Sequence, residues 1–180
     1  MYGYKLLIEV LQSCIQELSD PEAFLPESPD IPDESPIFKN VEIGNPSDLS
    51  FWNTIGAILM FGQVTKTDAD GSNDQRKYQL IQGAVITIVP GDEASNYMKM
   101  LHYSDIVGDF CENNSALGLP GTTIDLIESN SQGWRLMDIS KFSRATLKQL
   151  DMASTATTIF QIKRPKMEKL NAAGKIKGRF

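Results

Sequence analysis

The chain has 180 residues, 41% of them hydrophobic, and a formal net charge of −6. That length suits one domain, with two small ones possible, and folding buries enough surface to need no disulfide or metal staple. No apolar run approaches the ~20 residues of a membrane span, and the N-terminal MYGYKLLIEVLQSC lacks the basic region and cleavage site of a signal peptide, so the expected setting is cytoplasmic or a particle assembled there.

Residues 4–18 carry Leu7, Val10, Leu11, Cys14, Ile15 and Leu18 at three- and four-residue steps, which predicts an amphipathic helix ended by Ser19-Asp20-Pro21. Residues 20–36, DPEAFLPESPDIPDESP, hold five prolines among many acids. They exclude helix and strand interior and read as an extended strap anchored by Phe24, Leu25 and Ile31, with plain disorder as the alternative. Ile37 to Ile43 read as a short strand closed by Gly44-Asn45-Pro46. Residues 55–66 and 77–90 are apolar on both faces and predict two central strands, with Gly62 and Gly83 marking bulges or close backbone approaches. A second helix is expected from an N-cap at Asp92 through residue 113, with Tyr97, Met100, Val107 and Phe110 on one face, extended by Leu101 and Cys111. Gly118-Leu-Pro-Gly121 breaks the chain. TTIDLIES and GWRLMDIS read as a hairpin around Asn130 to Gly133, SRATLKQL as a short helix, and ATTIFQIKRP as a last strand ended by Pro165. The fold class is α+β: a mainly antiparallel sheet with an N-terminal and a second helix packed on it, and a long β-hairpin. One domain spans 1–165 and a basic C-terminal tail spans 166–180.

Chemical motifs are sparse. In TDADGSND, residues 67–74, Asp68, Asp70 and Asp74 suggest a calcium loop, since hard cations take clustered oxygens. Counted from Asp68, glycine falls at the fourth position instead of the sixth, and the twelfth is Gln79 instead of glutamate. Lys66, Arg76 and Lys77 add positive charge, so the stretch reads as a long polar hairpin tip that touches a neighbour. His102 stands nine residues from Cys111 on one helix, about 13 Å and too far for proton transfer. GLPGTT lacks a phosphate-loop lysine, and no Cys or His cluster has zinc spacing. Cys14 and Cys111 read as reduced core residues. No catalytic residue, metal or cofactor is assigned.

Charge is polarised along the chain. Residues 1–50 and 51–140 are net acidic, whereas 141–180 carry ten basic residues against Asp151 and Glu168. Lys163, Arg164, Lys166, Lys169, Lys175, Lys177 and Arg179 make the tail cationic. Such a tail suits nonspecific contact with nucleic-acid phosphates or a grip on an acidic protein surface; the lack of aromatic interleaving argues against base readout, and the acidic body, which repels DNA, favours the protein contact. Opposite ends of opposite sign suit head-to-tail packing of identical subunits, and a solvated surface with a basic tail is the bland alternative.

An amphipathic helix leading into IFKNVEIGNP, then AILMFGQV and its long hairpin, a helix and a closing TTIFQIKRP resembles the tail-terminator proteins of tailed bacteriophages, and more loosely other head–tail neck proteins. The resemblance covers residues 4–165 in order of elements. It implies a structural virion protein of the neck, assembled in the host cytoplasm: a homo-hexameric ring that caps the tail tube and joins it to head-completion or stopper proteins. Sheath proteins are further partners. DNA passes through the channel without sequence-specific binding, and no membrane is involved. Asp68, Asp70, Asp74 and Arg76, with the tail cations, are the candidate inter-subunit or inter-ring contacts. Another phage assembly component (connector, tube or baseplate) and a small cytoplasmic enzyme or ligand-binding domain are the alternatives.

Overall fold

The computed structural model describes residues 4–20, 36–46, 48–67, 78–113, 117–119, 121–130 and 142–165. The elements run α1 (Tyr4–Gln16), β1 (Asn40–Ile43), a 3-10 turn (Leu49–Asn53), β2 (Gly56–Thr67), β3 (Tyr78–Pro90), α2 (Ala94–Asn113), β4 (Thr123–Asn130), α3 (Arg144–Asp151) and β5 (Ala153–Pro165). One five-stranded sheet has the order β1-β2-β3-β5-β4. Only the β1–β2 pair is parallel. The class is therefore α+β with a mostly antiparallel sheet, as the sequence predicts.

Parallel pairing needs a crossover of about a dozen residues, and residues 44–55 with their 3-10 turn supply it. Asp48 caps that turn by accepting from the Ser50 N–H at 2.8 Å, which holds its carboxyl below the usual carboxylate range. β1 is shorter than its apolar run. The Ile37 N–H donates to the Leu18 carbonyl at 2.9 Å, so this residue is tied to the end of α1 and the ladder starts at Asn40.

Alternation along the strands sends successive side chains to opposite faces. On one face Leu59, Val85, Phe160 and Ile162 meet Leu7, Leu11 and Ile15 of α1 and Val107 and Cys111 of α2 in one cluster. On the other, Ile58, Met60, Ile86 and Ile88 pack with Phe51, Phe142 and Leu150. β2 and β3 thus bury both faces, as their composition predicts. Gly62 lies where the β2–β3 register slips, between Phe61 and Val64. A Cβ on Gly83 would stand 2.4 Å from the Phe160 ring, so this glycine marks a close approach.

Three sequence expectations shift. The Glu93 carbonyl accepts from Asn96 and Tyr97, which puts the α2 boundary at Glu93 instead of Asp92. Met100, Val107, Phe110 and Cys111 are buried on α2, but Tyr97 is 43% exposed, because the apolar face reaches the sheet only from Met100 onward. β5 begins three residues before ATTIFQIKRP, at Ala153. β4 pairs with β5; the expected hairpin arm GWRLMDIS lies outside the described residues. So does the strap, apart from its ends, where Ser19 and Pro36 form an antiparallel bridge.

Candidate interaction site

The long strands define two poles. At one, Thr67 pairs with Tyr78, and Tyr78 with Pro165. The attachment points of segments 68–77 and 166–180, namely Thr67, Tyr78 and Pro165, therefore share this end of the sheet, although nearly ninety residues separate the two segments in the chain. Asp68, Asp70, Asp74, Arg76, Lys166, Lys169, Lys175, Lys177 and Arg179 all belong to these two segments and lie outside the described residues. Lys163 is exposed at this pole.

Arg164 differs from the sequence expectation. It is buried, 5% exposed, and its Nε and Nη2 donate to Gln79 Oε1 at 2.9 and 2.7 Å. Alternation explains this: Arg164 follows Phe160 and Ile162 on the helix-covered face, paired with Gln79 on β3. It staples β5 to β3 at the base of this pole.

At the opposite pole Pro90 pairs with Ala153. The Ser154 N–H and hydroxyl both donate to the Gly91 carbonyl at 2.9 Å, and Gly91 takes a left-handed φ of 88° that suits glycine. The chain enters β2 and β5 here and leaves β3 for α2. Four large apolar side chains in those segments are exposed: Leu49 at 75%, Met98 at 64%, Met152 at 61% and Tyr97 at 43%. Asp48, Asp92 and Glu93, in the chain segments next to Leu49 and Tyr97, are also exposed.

His102 Nε2 lies 2.8 Å from Asp20 Oδ1, joining α2 to the exit of α1. The pair is 82 residues apart in sequence and left no local signal. Burial, with a smaller push from the nearby Asp20 charge, raises the Tyr103 phenol above its ordinary value. Both cysteines are free. Burial, then Glu112, pushes the Cys111 thiol up to about 12, and burial, then Glu17, raises that of Cys14. Neither is a thiolate nucleophile at neutral pH. Among the described residues no group of His, Cys, Asp or Glu could hold a metal ion, and no helix is long and apolar enough to cross a membrane.

What the described residues define is an α+β protein built on one five-stranded sheet. No protein-family model matches the chain, and no curated protein matches it in sequence.

Proposed function

We propose that the chain is a structural subunit of a tailed-bacteriophage neck: a tail terminator that assembles into a homo-hexameric ring, caps the tail tube and joins it to head-completion proteins. In this reading the chain is not an enzyme and carries no cofactor. The observation that supports it best is the register that puts the 68–77 and 166–180 segments at one pole. Two segments joined to the sheet at one end of the molecule would let a subunit meet its neighbour through unlike surfaces, and such a heterologous contact closes into a ring where its rotation allows. The order of helix, short strand, long strand pair, helix and closing strand agrees with the resemblance drawn from the sequence.

Negative-stain imaging of the purified chain at high concentration, alone and with tail tubes, tests the reading. Six-fold rings with an open centre, or caps on tube ends, are the expected result. Twelve-fold rings would move the assignment to a connector. A chain that stays monomeric on its own and leaves tube ends bare would overturn the neck assignment.

A further inference from the structure

We infer that a buried layer of hydroxyl groups pins α2 to one axial position on the sheet. Three elements show the same order from one pole to the other. Along α2, Met100, Ser104 and Val107 recur at helical spacing, and all three are buried. On the sheet face beneath come Val89, Thr87 and Val85 along β3, and Ala156, Thr158 and Phe160 along β5. Met100 packs with Val89 and Ala156 in one apolar cluster, whereas Val107, Val85 and Phe160 belong to another. The middle row is polar in all three elements. Ser104 Oγ lies 3.3 Å from Thr158 Oγ1 and 3.2 Å from Ser129 Oγ on β4. Thr87 and Thr158 are fully buried.

Stability does not account for this layer. Thr87 Oγ1 has no hydrogen-bond partner among the described residues, and a buried hydroxyl left unpaired is costly. Apolar groups of the same shape in place of the whole layer would be neutral or stabilising. Hydroxyls supply position instead, because their bonds are directional and apolar burial is not. One helical turn is 5.4 Å and two strand residues about 7 Å. A slide of α2 by one turn would therefore carry its apolar side chains roughly onto the next row. It would also set Ser104 among the apolar side chains of one cluster or the other, and leave Thr158 unpaired beneath Met100 or Val107. The position held in this way reaches the pole where β5 ends. Leu117, just past α2, is buried in the same cluster as Val107. A Cβ on Gly121 would stand 2.9 Å from Pro165 Cγ. The turn that follows α2 thus lies against the residue to which 166–180 is joined.

Subunit contacts play no part in the pin, so its test uses the full chain alone. Ser104→Ala with Thr158→Val removes both bonded hydroxyls at nearly constant shape. Methyl NMR reads the position of α2 through nuclear Overhauser contacts from the Met100 methyl group to Val89 and Ala156, and the α2 amide signals report how many positions it takes. The thermal midpoint should stay within about 4 °C of the parent. The α2 amide signals should double or broaden, and the Met100 contacts should weaken about twofold, as two registers of similar population require. Doubled signals support the pin at any midpoint. A single sharp set of α2 signals with the Met100 contacts at parental strength would overturn it, whatever the midpoint, and a lowered midpoint in that case would make the layer a stabilising contact alone. Should the double variant fail to fold, Ser104→Ala by itself, which adds no bulk, carries the same readouts and the same two outcomes.

Discussion

Gly83 and Phe160 face each other across β3 and β5, and the Phe160 ring occupies the space a side chain would take. The Met60 carbonyl, 3.1 Å from the same point, closes the other side. Gly83→Ala must therefore displace a buried ring, and overpacking of this kind costs about 1–3 kcal/mol. Urea denaturation should show that loss. The double variant with Phe160→Leu should lose less than the sum of the two single changes, because the smaller side chain vacates the site; additive losses would mean the two positions do not share that space. Cys111 gives a second residue-scale prediction. Its thiol moves from an ordinary value of 9.0 to about 12 in the folded chain. Above pH 9 the unfolded state releases a proton that the folded state retains, so stability falls as pH rises from 9 towards 12, by at most about 1.4 kcal/mol per pH unit. Cys111→Ala should flatten that alkaline decline in pH-dependent denaturation even if it lowers stability at pH 7. An unchanged slope would show that the thiol is not its source. Both residues were legible in part: glycine in an apolar strand signalled a close approach, and cysteine in an apolar helix signalled burial. Their partners were not, because a contact across a sheet leaves no trace in the local pattern.

α1 shows why the elements themselves could be read. Leu7, Leu11 and Ile15, one turn apart, are all fully buried, as the periodicity requires. The polar side of α1 does more than meet water. Gln12 Nε2 and Gln16 Nε2 donate to the Val41 and Phe38 carbonyls at 2.6 Å each. β1 is an edge strand, and a strand edge left open invites pairing with another chain. Gln12 occupies an acceptor on β1 and Gln16 one just before it, a role hidden in sequence because Gln12 and Gln16 look like ordinary surface residues. Replacing both with alanine should lower stability by about 1–3 kcal/mol, at the usual ~1 kcal/mol per hydrogen bond. Protection from hydrogen exchange in residues 38–43 should fall with it; unchanged protection there would rule out a role in holding β1. α3 depends on a cap instead. Ser143 Oγ accepts from the Thr146 N–H at 3.1 Å, and the Ser143 N–H donates to Asn45 Oδ1 at 2.9 Å. Ser143→Ala should remove about 1 kcal/mol through the cap, read as a lower urea midpoint at unchanged slope, while Ser143→Asp should restore most of it.

At the scale of the whole molecule, the fold class was legible and the strand order was not. Composition fixed which segments were strands, but β5 inserts between β3 and β4, a long-range pairing that alternation cannot specify. That insertion brings Pro165 beside Tyr78 and so puts two segments, suspected separately from their charge, at one pole. A test of the 68–77 segment follows from the same register. Pairing of β2 with β3 continues to Thr67 and Tyr78, and Arg164 bonds Gln79 just inside that limit. Residues 68–77 can then be replaced by Asn-Gly, which closes a two-residue hairpin with the twist the strands need. The thermal midpoint should stay within about 4 °C of the parent, the shift expected for roughly 1 kcal/mol in a chain of this size. Joining of tails to heads in an assembly extract should be abolished if the tip touches a neighbouring ring. A stable variant that joins tails at the parental rate would remove the tip from the neck contacts and leave residues 163–180 as the remaining candidates.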